Sequence, residues 1–376
     1  MIAVDGAAAP GGASDAGHPF DLADLGDALS RSALAEFVAC FDPLGPRRAD
    51  WERHRGQAPP AMQPLIDLFL LSRQVEEDRL PHRIQVMLAE LSRLGLVVRA
   101  NGLAAMADGL VVLPVFGRWL LCQPPQVVPE FYFGDDTLAL LTRLSPRAKG
   151  RCLDLCTGPG TLALHAAGIC DHVTAVESVP RSAQLARLNM ALNRVSHRVE
   201  VMEGDLYAPV RGRLFDSVVA NPPMLPYPPA LTGPSIGHGG EDGFRVTMRI
   251  LAGLPDALSQ DGAAQIIGTC LSDGVMPLGV DRLQAAAGDR IDLTLSVMSH
   301  QSLHQEAPLW DALVATVAAA SKEDKPIVRA AYAALLERAH ASHLCHLFLH
   351  ACHGNGQLRL IDLADANRGG IWRLRG

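Results

Sequence analysis

RCLDLCTGPGT, residues 151–161, reads as an apolar strand, an acidic residue, a tight Gly-Pro-Gly turn and the first turn of a helix. Gly158 and Gly160 let the backbone come close to a ligand, and the helix start beyond them offers free amide donors. A plain strand-to-helix turn has the same pattern, so the stretch decides the fold before it decides a function. The Lys-Ser/Thr that would make it a nucleoside-triphosphate loop is missing.

From this point strands and helices alternate. Short apolar strands are predicted at Cys152–Cys156, His172–Glu177, Val199–Met202, Ser217–Ala220, Ala264–Thr269, Ile291–Met298 and Leu344–Ala351. Helices fall at Leu162–Ile169, Arg181–Val195, Ala307–Ala320 and Lys325–Ala339, and Gln357–Leu363 is expected to pair beside the final strand. Such alternation predicts a parallel, doubly wound α/β sheet. Glu177 ends the second strand, where an acid accepts hydrogen bonds from ribose hydroxyls, a placement that fits NAD as well as other adenosine cofactors. Asp205 follows the third strand, placed either to accept from an adenine amino group or to cap a helix. The fourth strand runs into Asn221-Pro222-Pro223, whose prolines hold Asn221 extended and leave its amide and the nearby carbonyls as a fixed rim at the carboxyl edge of the sheet. A nitrogen held there by two acceptors would be aimed at an electrophile.

Asp154 with Gly158 and Gly160, then Glu177, Asp205 and Asn221-Pro222-Pro223-Met224, in that order and spacing, resemble the class I S-adenosylmethionine-dependent methyltransferases. The resemblance is to their Asn-Pro-Pro group, which contains the N5-glutamine and small-domain methyltransferases. Tyr132-Phe-Gly-Asp135-Asp-Thr137 before the core and Gly239-Gly-Glu-Asp-Gly243 after it agree, so the likeness covers about Phe131 to Gly268. It implies a Rossmann-like sheet and S-adenosylmethionine as cofactor. By it, Gly158 and Gly160 pass the methionine part, Asp154 holds the amino end, Glu177 the ribose and Asp205 the adenine. Tyr132, Asp135, Thr137, Thr157 and Leu206 complete the cofactor site, while Asn221 and Pro222 face the substrate, with Tyr227 as a further catalytic candidate. Amide methylators of the family usually carry an aromatic residue after the second proline, where Met224 stands here. That departure leads us to expect a small-molecule acceptor, a specialised metabolite or an amino acid, and a role in biosynthesis. One alternative is cyclisation of the cofactor itself to azetidine-2-carboxylate and methylthioadenosine, with Tyr132, Tyr207 or Tyr227 contributing. The other is an adenosine-ligand binding protein without turnover.

The rest of the 376 residues is arranged around this module. Residues 1–20, rich in Ala, Gly, Pro and Ser, are expected to form a flexible tail. Residues 21–130 are expected to form a mainly helical, winged-helix-like domain, and 131–376 the cofactor domain. In the first of these Ile84, Met87, Leu88, Leu91 and Leu94 mark a helix over Pro81–Leu96 that stops near Gly95, and β-like runs follow at Leu96–Val98, Leu110–Val115 and Trp119–Cys122. A net charge of -7 and Glu76, Glu77, Asp78 and Glu90 around that helix argue against a nucleic-acid partner. No apolar run approaches the length of a membrane span and no signal-peptide pattern opens the chain, so a cytoplasmic protein is expected, with a homodimer among the assemblies open to it. The eight cysteines read as reduced core thiols. His340, His343, His346, His350 and His353 lie on and around the last long strand without closing a metal-ligand set, so no metal is expected, and Ser302, His304, Glu306 and His300 read as a solvated loop.

Overall fold

The computed structural model describes residues 20–124, 129–232, 237–365 and 370–372; the expected tail lies outside them except for Phe20. The chain divides into two compact units, residues 1–122 with 191–194, and residues 123–190 with 195–376. The division falls at Gln123 rather than at 130. The Gln123 amide donates to the Phe131 carbonyl at 3.1 Å and its Oε1 accepts from the Glu130 amide at 2.7 Å, which ties that stretch to the second unit.

Among the described residues, the larger unit is built on eight strands: β1 Arg151–Leu155, β2 His172–Glu177, β3 Val199–Glu203, β4 Phe215–Ala220, β5 Leu258–Ser272, β6 Ile291–Ser302, β7 His343–His353 and β8 Leu358–Asp362. Their order across the sheet is 8-6-7-5-4-1-2-3. The chain winds outward from β1 to β3 and then restarts on the other side with β4, so the switch point lies between β1 and β4, where open α/β sheets bind ligands. Those two strands end in the Gly-rich turn and in Asn-Pro-Pro.

The helices that accompany the sheet are α1 Asp135–Leu141, α2 Thr161–Ala166, α3 Pro180–Leu192, α4 Arg245–Ala257, α5 Val280–Ala287, α6 Pro308–Ser321 and α7 Lys325–Ala339. The sequence reading passes over α1, α4 and α5. Ile250, Leu251, Leu254 and Ala257 form the buried stripe of α4, interrupted by Pro255.

The doubly wound sheet departs from the parallel arrangement at β7, which runs antiparallel to both β5 and β6. Helices α6 and α7 form a hairpin that returns the chain to the edge it left, so the next strand must run backward. Because β5 and β6 occupy both sides of β7, β8 pairs in parallel with β6 instead of beside the final strand. Leu153, Leu155, Val218, Ile266, Leu293 and Leu347 pack with α4 and α5 into one core. A second core gathers Trp310, Val314 and Val317 of α6 and Val328, Tyr332 and Leu335 of α7 around Tyr227, Leu271 and Leu344. Each fully buried large side chain stabilises these layers by about 1.5–3 kcal/mol.

In the smaller unit the helix expected over 81–96 is two short segments, His82–Gln85 and Leu88–Arg93. Gly95, at φ +73°, closes it, with the Leu96 amide reaching the Leu91 carbonyl at 2.9 Å. Val75–Glu76, Val97–Ala100 and Leu103–Met106 make a three-stranded antiparallel sheet with the last strand in the middle. Leu103–Met106 escaped the sequence reading because Ala104 and Ala105 carry little β signal. Val111–Val115 and Arg118–Cys122 form a separate hairpin. No helix among the described residues is long and apolar enough to cross a membrane.

Candidate active site

Asp154, next to last in β1, is fully buried. Its Oδ2 accepts from the Ala163 amide at 2.9 Å and from the Thr157 hydroxyl, so one oxygen caps the start of α2. Its Oδ1 is buried without a partner among the described residues. Burial, reinforced by the charge of Glu177, pushes this carboxyl up to about 7. Thr157 is itself buried beside it, its amide donating to the Val176 carbonyl at 3.1 Å.

The two glycines of the turn have different surroundings. Gly158, at φ +55°, has nothing within 4 Å of the place a Cβ would occupy. At Gly160, φ +85°, a Cβ would stand 2.7 Å from Met190 Cε and 3.1 Å from Ala186 Cβ, both on α3. Gly158 therefore borders open space, and Gly160 lets α3 pack on the turn. Glu177, at the end of β2, accepts from the Gly158 amide at 2.8 Å with Oε2 and from the Val179 amide at 2.9 Å with Oε1. Asp154, Thr157, Gly158 and Glu177 thus surround one turn. Asp205 lies past β3 and pairs with Arg249 of α4 at 2.6 Å, both side chains more than half exposed. Leu206 is buried at φ +48°.

The first turn of α1 brings a residue that the sequence reading did not single out. Asp136 is buried among four donors: Tyr132 Oη at 2.8 Å, the Thr137 amide at 2.6 Å and the Thr137 hydroxyl at 3.4 Å reach Oδ1, and Asn221 Nδ2 reaches Oδ2 at 3.2 Å. Asn221 Nδ2 also donates to Thr137 Oγ1 at 3.1 Å. Burial, aided by neighbouring Asp135, pushes the Asp136 carboxyl up to about 6. Asp135 uses Oδ1 to accept the Asp136 amide at 3.0 Å and so serves the helix start. Of the adjacent acids, the second reaches the Asn-Pro-Pro element; the doubled Asp135-Asp136 was the available signal.

Beyond Asn221 and the buried Pro222, the chain is held by its own backbone. Thr269 Oγ1 donates to the Met224 carbonyl at 2.6 Å, and the Tyr227 amide donates to the Gly240 carbonyl at 2.8 Å. A Cβ on Gly243, at φ +92°, would stand 2.2 Å from the Thr269 carbonyl oxygen and 2.8 Å from that of Met224. Residues 239–243 therefore wrap the Met224 backbone at a distance only glycine allows.

Tyr227 is not brought to the Asp136–Asn221 group. It is buried in the second core and stacks on His238 at 4.3 Å. Tyr207 likewise turns away, its hydroxyl donating to the Ile250 carbonyl at 2.8 Å. On β7, Cys345, Leu347, Leu349 and Ala351 face the main core. On the other face His346 meets the Trp372 ring edge-on at 4.8 Å, and burial lowers its pKa to about 3. His300 and Ser302 belong to β6 rather than to a loop, and His300 Nδ1 lies 2.7 Å from Ser272 Oγ.

Residues 121–270 match the model of the methyltransferase small domain family. The chain is 36% identical over 143 residues to a ribosomal protein uL3 glutamine methyltransferase of Bradyrhizobium diazoefficiens, covering 35% of this chain and 45% of that one. It is 38% identical over 125 residues to a release factor glutamine methyltransferase of Deinococcus radiodurans, 31% of this chain and 44% of that one. To a putative protein N5-glutamine methyltransferase of Methanocaldococcus jannaschii it is 29% identical over 150 residues, 38% of this chain and 75% of that one. The match thus spans under half the length of the first two relatives. These findings overturn the expectation of a small-molecule acceptor or of the cofactor alone as partner, together with the cyclisation and binding-only alternatives and the biosynthetic role: the named relatives modify proteins. Met224 misled the reading because it changes one side chain on a rim whose backbone is fixed. The module between residues 121 and 270 belongs to the class I S-adenosylmethionine-dependent methyltransferases, in their Asn-Pro-Pro, small-domain group.

Proposed function

We propose that this chain transfers a methyl group to the side-chain amide nitrogen of a glutamine in a protein acceptor. The observation that carries the reading is the commitment of Asn221 Nδ2 to Asp136 and Thr137. With its donor engaged, Asn221 keeps Oδ1 to accept a hydrogen bond from an incoming NH2 group. A second acceptor, the Pro222 carbonyl, would fix the same nitrogen, so that catalysis is chiefly orientation. Met224 would lend a polarizable thioether to the planar amide in place of an aromatic ring.

The residues at the Gly-rich turn suit S-adenosylmethionine. The orphaned Oδ1 of Asp154 would accept from the cofactor's ammonium group, open space over Gly158 would admit its methionine part, and Glu177 would take the ribose hydroxyls. For Asp205 to meet the adenine, its pair with Arg249 would have to open, a small cost for two exposed ions. When bound, the cofactor supplies a methyl group made electrophilic by a sulfonium. A protein acceptor of the translation machinery, as in the relatives' names, and the free state of all eight cysteines support a cytoplasmic site of action.

The test is incubation of the full chain with S-adenosylmethionine and, separately, ribosomal protein uL3 or a release factor as substrates. Peptide mass analysis should place one added methyl group on a glutamine, with matching S-adenosylhomocysteine. Methylation confined to lysine, arginine or nucleic acid would overturn the reading.

A further inference from the structure

Outside the cofactor turn and the Asn-Pro-Pro rim, one group of reactive side chains has no part in the chemistry above. Cys270 on β5 stands directly opposite Cys345 on antiparallel β7, and His300 on β6 stands opposite Cys345 on its other side. Both thiols are fully buried, and both belong to the same core face. Directly opposed residues of antiparallel strands have Cα atoms roughly 4.5–5.5 Å apart, inside the range of about 4.4–6.8 Å that a disulfide spans. His300 Nδ1 meets Ser272 Oγ at 2.7 Å, which fixes the ring, while Nε2 is buried with no hydrogen-bond partner among the described residues. Because His300 is only partly buried, the group lies one side chain from solvent at the carboxyl edge of β5. Cys270 also follows Thr269, whose hydroxyl holds the Met224 carbonyl.

We propose that Cys270 and Cys345 are a peroxide-oxidisable pair, with Cys345 as the attacking thiol, Cys270 as the resolving thiol and His300 as the residue that activates Cys345. Cys345 as its thiolate attacks one oxygen of hydrogen peroxide, the O–O bond breaks, and hydroxide leaves, giving a sulfenic acid. The Cys270 sulfur then attacks the Cys345 sulfur, the S–O bond breaks, and the Cys270 proton leaves with the oxygen as water. Two thiols lose two electrons and two protons, and one peroxide becomes two waters. The hydrogen bond with Cys270 and the nearby imidazole lower the Cys345 thiol to about 7, whereas burial raises Cys270, which matches the division of roles. Cys152 and Cys170 are the competing pair, but no imidazole accompanies them among the groups that shift their thiols.

The test is to treat the full chain with hydrogen peroxide and map disulfides by non-reducing peptide mass analysis, with exposed Cys40 as the unlinked control. The expected result is a Cys270–Cys345 linked peptide, reversed by dithiothreitol. Cys270→Ser should accumulate a Cys345 sulfenic acid trapped by dimedone, and His300→Gln should slow linkage roughly two- to fivefold at neutral pH, the loss of thiolate being partly offset by its greater nucleophilicity. Circular dichroism of each variant establishes that it is folded. A Cys152–Cys170 link in place of Cys270–Cys345, or dimedone on Cys40 alone, would overturn the proposal.

Discussion

Replacing Asp136 by Asn changes almost no volume, yet it should turn the Asn221 amide around. In the native site Asp136 offers Oδ2 to Asn221 Nδ2 at 3.2 Å. Tyr132 Oη and the Thr137 amide are donors that both require an oxygen at the Oδ1 position. In Asp136→Asn the carboxamide oxygen stays there, and the NH2 takes the place of Oδ2. Two NH2 groups cannot share that contact, so Asn221 relieves it by rotating its amide, which sends Nδ2 toward the acceptor and removes the oxygen that holds the acceptor nitrogen. A hydrogen bond to a charged group contributes about 1.5–3 kcal/mol, so kcat should fall roughly 10- to 150-fold, with S-adenosylmethionine affinity within about threefold of wild type because Asp136 serves the acceptor side. The pH profile should change as well. Wild-type kcat should rise with pH through about 6 as Asp136 ionises, and Asp136→Asn should lose that limb. Stability moves the other way. The folded pKa lies above the ordinary 3.8, so the stabilisation is complete below about 4 and is lost as pH rises through about 6, a total of roughly 3 kcal/mol. The variant, which has no charge to bury, should unfold with a flatter pH dependence over that interval. Initial rates of S-adenosylhomocysteine formation and thermal unfolding, each measured across pH 6, provide both readouts. A variant with wild-type kcat and an unchanged acid limb would refute the orienting role.

Asp154→Asn should abolish the pH dependence of S-adenosylmethionine binding. The wild-type dissociation constant should rise about tenfold per pH unit below about 7, where calorimetric titration would follow protonation of the carboxyl. Gly158→Ala should weaken cofactor binding at least about tenfold, since its Cβ enters the open space, at a stability cost of about 1 kcal/mol from its left-handed backbone; Gly160→Ala should lower stability further, by about 1–3 kcal/mol more, through contact with Met190. Denaturant titration and calorimetry distinguish the two. Tyr227→Phe should leave kcat within about twofold, whereas Tyr227→Ala should cost about 3–5 kcal/mol of stability from the second core. A large loss of kcat in the Phe variant would return Tyr227 to the chemistry.

The sequence discloses the switch point most clearly. An apolar run followed by Gly158-Pro-Gly160, and another followed by Asn221-Pro222-Pro223, are local signals, because backbone conformation at those turns depends on the residues in them. Strand order is a different matter. Nothing within β7 says that it lies antiparallel between β5 and β6; that follows from the α6–α7 hairpin reversing the chain, a non-local event. The same distinction separates the site residues. Asp154 and Glu177 are placed by their own strands, but the partnership of Asp136 with Asn221 spans 85 positions. Tyr227 shows the converse error, for an aromatic residue near a catalytic motif was needed by a core built from helices about a hundred residues later. Met224 exerted a still larger pull, since one side chain was allowed to set the acceptor class.

The collar of glycines around Met224 implies a division of evolutionary labour. The path of residues 221–227 is set by contacts of its main chain with Thr269, Gly239 and Gly243, so the side chain at 224 can be exchanged without moving the Asn221 carboxamide. On the proposed reading, substitution at that position would change the preference among acceptors while the orientation of Asn221 is kept.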